Sequence, residues 1–120
     1  MRILAFTTAF WHSREDADSK RDGLFGLQAC RDRIVTFLRP VEYFLACGTW
    51  SEPLWSPLSI TVPVINSGVD YTKPYDHWHW MYDGCAYTAA LAYALNRRDW
   101  DLLVTLDSDV LIGAVDFDAL

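Results

Sequence analysis

The sequence predicts an α/β fold, in which a largely parallel β-sheet carries helices on both faces. Stretches with strand and helix character follow one another in the order strand, helix, strand, strand, helix, strand, which is typical of crossover connections between parallel strands. The predicted strands are continuous apolar runs, as expected when helices cover both faces. With 120 residues, of which 52% are hydrophobic and 22% charged, the chain is expected to form a single domain over residues 1–120.

The first half of the chain predicts two strands with one helix between them. Residues 3–8 form the first apolar run, and a polar loop is expected over residues 12–22, where Asp22 is suited to cap the next helix. Apolar residues then recur at helical spacing until Pro40, which cannot continue a helix. This apolar stripe consists of Leu24, Leu27, Cys30, Ile34 and Leu38. A second strand is expected over residues 41–47.

The second half predicts two further strands with a helix before the last. The third strand is expected near residues 60–65, where Pro63 indicates a sheet edge or a bulge. An aromatic loop over residues 70–82 leads to Asp83, the predicted N-cap of a helix over residues 84–98. One face of this helix is mostly small and suited to close packing on a sheet: Ala86, Ala89, Ala90, Tyr93, Ala94 and Arg97. The fourth strand is expected over residues 102–106, in the interior of the sheet and beside the first.

Charge and cysteine content exclude several classes of protein. The net charge of −6 argues against a nucleic-acid partner, because phosphate contacts require clustered Lys and Arg. Three widely spaced cysteines, Cys30, Cys47 and Cys85, fit neither a disulfide framework nor a zinc knuckle, so we expect reduced core thiols in a cytoplasmic protein. We expect no export signal and no transmembrane segment, because the apolar run at residues 3–10 is short.

Two carboxylates, Asp107 and Asp109, follow the last apolar run and are separated only by Ser108. Residues that follow the carboxyl end of a parallel strand face a ligand crevice, and two neighbouring acids there favour a bound cation. Carboxylate oxygens suit Mg²⁺ or Mn²⁺, which usually complete their coordination with water and substrate phosphates. From residue 99 to residue 118 there are six Asp and no Lys or Arg, so this region is a negative field that a cation would relieve. The expected ligand carries a diphosphate.

The segment LVTLDSDVLI at residues 103–112, with the alanine-rich helix before it, resembles the Asp-x-Asp region of GT-A glycosyltransferases. The resemblance is sharp over residues 84–113 and implies a Rossmann-like fold, the nucleotide-binding half of a GT-A enzyme. It also implies transfer of a sugar from a nucleoside-diphosphate sugar to an unknown acceptor with the help of Mn²⁺ or Mg²⁺. Asp109 would then bind the metal, and Asp107 would contact the ribose or the metal shell, with Ser108 between them in the nucleotide-sugar site.

The resemblance places further binding residues at the end of the first strand and at the last helix. Thr7, Thr8 and Ala9 lie where GT-A enzymes commonly contact the base and ribose, although hydroxyls there could equally cap the following loop. Asp83 could accept a hydrogen bond from a ribose or sugar hydroxyl instead of capping the helix. Because the acceptor site and catalytic base of such enzymes follow the Asp-x-Asp strand, we expect this chain to be the amino-terminal part of a longer enzyme.

The same residues are also compatible with other functions. In a haloacid-dehalogenase-type phosphohydrolase, Asp107 would be the nucleophile and Asp109 the general acid. A non-catalytic nucleotide-binding remnant is the third possibility. The pair His77 and His79 could bind zinc with Asp76 or Asp83 as a further ligand, but zinc needs three or four ligands and the spacing fixes no third one. Aromatic loop residues are expected to cover the core rather than to stack on a ligand; they are Trp50, Trp55, Trp78, Trp80 and Tyr82.

Overall fold

A computed structural model describes residues 1–9, 14–22, 26–47, 63–66, 79–107 and 110–119. Within these residues, four strands form one sheet: β1 (Ile3–Thr8), β2 (Glu42–Cys47), β3 (Val64–Asn66) and β4 (Leu102–Asp107). The helices in the same ranges are α1 (Arg14–Asp22), α2 (Leu27–Leu38) and α3 (His79–Asn96), and a 3-10 turn covers Phe117–Ala119. The pairs that these strands form are parallel, and their spatial order is β3-β2-β1-β4. The predicted α/β fold is therefore confirmed.

Helices cover the two faces of the sheet, and the alternation of side chains along β1 explains how. Leu4 and Phe6 point to one face, where they join Phe44 and Ala46 of β2 against α3. The small stripe predicted for this helix makes the contact, because Ala86, Ala90 and Ala94 are all buried there. Ile3 and Ala5 point to the other face and pack with Tyr43 against Ile34 and Leu38 of α2.

The polar segment that was predicted as a loop contains helix α1, so that prediction is wrong. Its first turn carries Glu15 and Asp16 and its last turn Lys20 and Arg21, which complements the helix dipole. Asp16 also pairs with Lys20 at 3.2 Å, one helical turn later. Asp22 is the last residue of α1 and not the cap of the next helix, since Gly26 is the N-cap of α2. Charge pairing stabilises this helix. Its sequence has no apolar stripe, so the spacing of apolar residues does not predict it.

Helix α3 begins at His79, so Asp83 lies inside the helix and the predicted N-cap role is wrong. Residues 79–82 include neither Gly nor Pro, so nothing in their chemistry ends the helix at Asp83. Each residue added to an existing helix gains a backbone hydrogen bond, which outweighs the preference of Asp for the cap position. The helix also ends at Asn96 and not at the predicted Arg98.

Strand β4 pairs with β1 as predicted, but it lies at one end of the sheet that the described residues form, and not in the interior. The interior strands are β1 and β2. An apolar run shows that a strand is covered but not what covers it. On the α2 side, later residues of the chain pack on the cluster that includes Leu102, Val104 and Leu106: Ile112, Val115 and Phe117.

The strand predicted near residues 60–65 is observed as β3, which occupies the opposite end of this sheet. Pro63 immediately precedes it, and its carbonyl oxygen accepts a hydrogen bond from the backbone N–H of Leu45 at 2.9 Å. This placement agrees with the edge position that the proline indicated. None of the helices in the described part of the chain is long and apolar enough to span a membrane.

Candidate functional site

The candidate site lies at the carboxyl end of the sheet, between β1 and β4. From β1 the chain proceeds to β2 and β3 on one side of the sheet and then returns to place β4 on the other side of β1. In open α/β sheets, ligands bind outside the carboxyl ends of the strands where the strand order reverses in this way. Thr8 is the last residue of β1, Asp107 is the last residue of β4, and the two are register partners. Both residues therefore flank the point where the fold favours a ligand.

Thr8 and Asp107 lie on the face of the sheet that α3 covers. Register partners in neighbouring parallel strands share a face, and Thr8 is two residues beyond Phe6, which packs against α3. The carboxylate of Asp107 is exposed and forms no hydrogen bond or ion pair with another residue in the described ranges. Its carbonyl oxygen accepts a hydrogen bond from the backbone N–H of Val110 at 3.2 Å. Ser108 and Asp109, between them in the sequence, lie outside the described residues.

The acids at the opposite end of β4 are paired with arginines. Asp99 accepts two hydrogen bonds from Arg97, at 3.0 and 2.6 Å, and these bonds lower the pKa of its carboxyl group. Asp101 accepts hydrogen bonds from the backbone N–H of Arg2 at 2.8 Å and from its guanidinium, which likewise lower its pKa. Negative charge is thus compensated where β4 begins but not, among the described residues, where it ends at Asp107. An uncompensated carboxylate at a ligand crevice favours a cation.

Thr7 and Ala9, two of the predicted binding residues, contribute no side chain to this crevice. The side chain of Thr7 is buried on the α2 face, because neighbouring residues of a strand point to opposite faces. Ala9 is also buried, and its N–H donates to the carbonyl oxygen of Ala46 at 2.9 Å. Of the three residues predicted at the end of β1, only Thr8 presents a partly exposed side chain on the same face as Asp107.

The hydroxyls of Thr7 and Tyr43 form a buried polar pair beneath the site. Neither has a hydrogen bond of acceptable geometry within the described structure. Burial raises the pKa of Tyr43 to about 12, and the nearby Thr7 hydroxyl offsets part of this rise. The two groups therefore interact electrostatically, but the hydrogen bond between them is not well formed.

The backbone at Asp83 belongs to the end of α3 that lies nearest the carboxyl edge. Tyr87 of α3 contacts Phe6 of β1, whereas Tyr93 donates a hydrogen bond to Glu42, the first residue of β2. The helix therefore runs antiparallel to the strands. Asp83 precedes Tyr87 by one turn, which places its backbone about 6 Å further toward the edge that carries Thr8. Its side chain is outside the described part of the structure.

Sequence reasoning missed two residues beside this edge. Thr105 is exposed and lies on the same face as Asp107, two residues earlier in β4. Tyr87 is 38% exposed although its ring packs edge-on against Phe6, with the centroids 5.3 Å apart. The alternation of β4 could have indicated Thr105. Tyr87 could not be found without knowing how α3 lies on the sheet.

Arg97 and Arg98 lie far from the crevice, at or beyond the other end of α3. Arg97 forms ion pairs with Glu42 and Asp99, each at 2.6 Å, and these contacts occupy its guanidinium at the amino end of the sheet. Its pKa is raised, chiefly by the hydrogen bonds to Asp99. A structural role for Arg97 is therefore the one that the fold supports, and the described part of the crevice contains no Lys or Arg.

Several predicted features lie wholly or partly outside the described residues. Trp50, Trp55, His77 and Trp78 are among them, so their roles stay predictions. The backbone of Trp80 and of Tyr82 is part of α3, but their side chains lie outside the described part of the structure. The predicted burial of Cys30 and Cys47 is confirmed.

The donor set at this edge suits a hard divalent cation. Asp107 supplies an exposed carboxylate, and Asp109 follows it two residues later in the sequence. Within the described ranges there is no group of three or more His, Cys, Asp or Glu side chains that could bind a metal by itself. Mg²⁺ usually takes one or two carboxylates and fills its remaining positions with water and phosphate oxygens.

Comparisons of the chain with protein-family models, with curated protein sequences and with solved structures found no match. The fold class by itself leaves the ligand open. Residues 9–22, which follow β1, contain no glycine, so the chain lacks the Gly-rich turn by which many Rossmann-like domains bind a dinucleotide. The site is defined by a reversal of strand order at β1 of an α/β sheet, beside the Thr8 hydroxyl and the exposed Asp107 carboxylate, which has no ion pair with a described residue.

Proposed function

We propose that this chain is the nucleotide-sugar-binding portion of a metal-dependent glycosyltransferase, and that Mn²⁺ or Mg²⁺ binds at Asp107 and Asp109. The observation that supports this function is the exposed Asp107 carboxylate, which has no ion pair with a described residue and is the register partner of Thr8 where the strand order reverses. The resemblance of residues 84–113 to the Asp-x-Asp region supports the same assignment.

The reaction would transfer a sugar from its diphosphate to an acceptor oxygen. The bond between the anomeric carbon and the diphosphate oxygen breaks with its electron pair on that oxygen, a bond from the acceptor oxygen forms, and the acceptor proton leaves to a base. A bound divalent cation would supply positive charge to the leaving diphosphate. Asp107 and Asp109 would bind that cation. The Thr8 hydroxyl would hydrogen-bond to the nucleotide sugar beside the cation.

The cation is central to this proposal because the described residues place no basic side chain at the crevice. A diphosphate beside Asp107 would meet electrostatic repulsion, and the described part of the crevice offers no Lys or Arg to offset it. Binding of nucleotide sugar should therefore depend strongly on the divalent ion. This dependence is the simplest property by which to test the function.

A thermal-shift experiment on the full chain provides the test. UDP-glucose, GDP-mannose and dTDP-glucose would each be added with Mn²⁺ and with a chelator. A ligand that binds the folded state at a hundredfold excess over its Kd stabilises it by about 2.7 kcal/mol, which is an easily measured rise in Tm. We expect a rise for at least one nucleotide sugar with Mn²⁺ and none with chelator. If no nucleotide sugar raises Tm under either condition, the proposal is wrong.

A phosphohydrolase that uses Asp107 as a nucleophile would also need this carboxylate exposed. The two functions differ in covalent chemistry, because the hydrolase forms an aspartyl phosphate and the glycosyltransferase does not. Incubation with acetyl phosphate and Mg²⁺, followed by mass measurement, separates them. A phosphate adduct that is lost in Asp107→Asn would support the hydrolase and contradict the glycosyltransferase.

A further inference from the structure

The part of the sheet beside the crevice is left open on one face. Helix α3 packs mainly over β1, β2 and β3. On the same face of β4 lie Leu103, Thr105 and Asp107, of which the last two are exposed. Of the described residues after β4, Ile112 and Val115 pack on the α2 face and not over this strip. An exposed strip therefore runs down β4 from Asp107.

Tyr87 borders this strip. Two tyrosines of α3 lie on opposite sides of its buried alanine stripe: Tyr93 packs on Phe44 of β2, and Tyr87 packs on Phe6 of β1. Since β4 lies on the far side of β1 from β2, the Tyr87 side of α3 is the one that faces the open strip. The ring is inclined at 64° to that of Phe6, and residue Tyr87 is 38% exposed.

Phe6 connects Tyr87 with Thr105. Phe6 and Thr105 are register partners on neighbouring strands, which lie about 4.8 Å apart, and their side chains share a face. The Tyr87 ring packs edge-on against the same Phe6 ring, with the ring centroids 5.3 Å apart. Thr105 is also about 7 Å along β4 from Asp107. An aromatic surface, a hydroxyl and a carboxylate therefore surround one patch of the sheet.

We propose that Tyr87 and Thr105 form a subsite that binds the sugar ring of a nucleotide sugar. A sugar ring has an apolar face and a rim of hydroxyls. The exposed Tyr87 surface offers packing for the apolar face, and Thr105 and Asp107 offer hydrogen-bonding atoms for the rim. The sugar is joined directly to the diphosphate, so a cation at Asp107 would bring it next to this patch. This inference rests on the proposed function and names the part of the ligand that these two residues recognise.

Isothermal titration of the full chain with Mn²⁺ tests the subsite. The nucleotide sugar would be the one among UDP-glucose, GDP-mannose and dTDP-glucose that raises Tm most, compared with its own nucleoside diphosphate. Tyr87→Leu keeps an apolar contact with Phe6 but removes the ring, whereas Tyr87→Phe keeps the ring. Thr105→Val replaces only the hydroxyl. Leu95→Ala, at a 71% exposed position of α3, serves as the control.

We expect Tyr87→Leu and Thr105→Val each to weaken binding of the nucleotide sugar by about threefold to tenfold and to leave binding of the nucleoside diphosphate unchanged. Tyr87→Phe and Leu95→Ala should bind both ligands as the wild type does. Equal losses for both ligands would assign Tyr87 to the nucleoside and overturn the sugar subsite, as would an absence of any loss.

The proposed function fails separately from the subsite. If the wild type binds no nucleotide sugar with Mn²⁺, both are wrong. If the wild type binds one with Mn²⁺ and the Tyr87 and Thr105 variants match it, only the subsite is wrong.

Discussion

Thr8 and Asp107 are register partners at the carboxyl ends of two adjacent parallel strands, although 98 residues separate them in the sequence. Their side chains lie on one face of the sheet, and the carboxylate of Asp107 has no ion-pair partner among the described residues. This pair lies where β1 and β4 meet, which is where the reversal of strand order favours a ligand.

The two acids after β4 should not be equivalent. The resemblance to GT-A enzymes assigns direct metal contact to Asp109 and a ribose or outer-shell role to Asp107. Asp109→Asn should abolish the Mn²⁺ dependence of nucleotide-sugar binding, whereas Asp107→Asn should weaken binding and retain part of that dependence. Isothermal titration with Mn²⁺ and with chelator measures both effects.

Asp118→Asn is the matched control, because Asp118 is an exposed acid of the same carboxyl-terminal stretch but lies in the 3-10 turn. Removing the exposed Asp107 charge should change the free energy of unfolding by less than about 0.5 kcal/mol. Unchanged metal dependence in Asp109→Asn would remove the basis for the metal assignment.

Neighbouring threonines of β1 should differ in their effects. Thr8→Val removes a partly exposed hydroxyl at the crevice, so it should weaken nucleotide-sugar binding severalfold with little effect on stability. Thr7→Val removes a buried hydroxyl that has no well-formed hydrogen bond, so it should not lower the free energy of unfolding and should leave binding unchanged. Urea unfolding and titration calorimetry on both variants provide the comparison. A loss of binding in Thr7→Val alone would contradict the assignment of faces.

Stability should fall in alkali because of Tyr43. Its pKa is raised from 10.0 to about 12 in the folded protein, chiefly by burial. The neutral phenol therefore contributes stability that is present in full below pH 10 and is lost as the pH rises through 12. A shift of this size corresponds to a loss of about 3 kcal/mol over that range. Tyr43→Phe should reduce the loss, as measured by urea unfolding at pH 8, 10 and 12. An identical loss in the variant would show that other groups cause it.

Arg97 should stabilise the amino end of the sheet. Arg97→Gln removes partly exposed ion pairs to Glu42 and Asp99 and should lower the free energy of unfolding at neutral pH. Arg98→Gln, at the exposed neighbouring position, should change it by less than about 0.5 kcal/mol. Chemical denaturation measures the free energy of unfolding of both variants. A loss in Arg97→Gln alone would assign the stabilisation to the ion pairs, whereas equal losses would assign it to positive charge at the end of the helix.

The ion pair between Arg97 and Asp99 should also affect how the stability of the protein changes in acid. Because Arg97 lowers the pKa of Asp99 below the ordinary value of 3.8, the ionised pair adds stability that is present above pH 3.8. That contribution is lost as the pH falls through the lower pKa of the folded state. In Arg97→Gln this part of the acid transition should disappear, which a pH titration of Tm would reveal.

The fold class could be predicted from the sequence because it depends on apolar runs and their order. Both are local properties of the chain. The sequence did not predict that β4 lies at one end of the sheet formed by the described residues, since an apolar run looks the same whether a strand or a loop covers it. Helix α1 was missed because Asp16 and Lys20 stabilise it by charge rather than by an apolar stripe. These differences arise where local pattern is compatible with more than one environment.

The candidate site was predicted in part. Asp107 and Thr8 could be proposed because both follow apolar strands, and the structure brings them together. Sequence proximity wrongly grouped the Thr7 side chain with Thr8, because adjacent strand residues point to opposite faces. The position of Tyr87 beside β4 depends on how α3 docks, which is a long-range contact that no local pattern contains.

The pairing of β1 with β4 also determines when the crevice comes into existence during folding. Arg2 and Asp101, whose hydrogen bond joins the starts of these strands, are 99 residues apart in the chain. Closing such a long loop costs entropy before any contact compensates for it, so this pairing is expected late, after local helices have formed. A ribosome must also synthesise all residues from β1 to β4 before the two strands can pair. A ligand that contacts both Thr8 and Asp107 will therefore bind only to protein molecules in which β4 has paired with β1. The amount of ligand bound will measure the fraction of correctly folded protein.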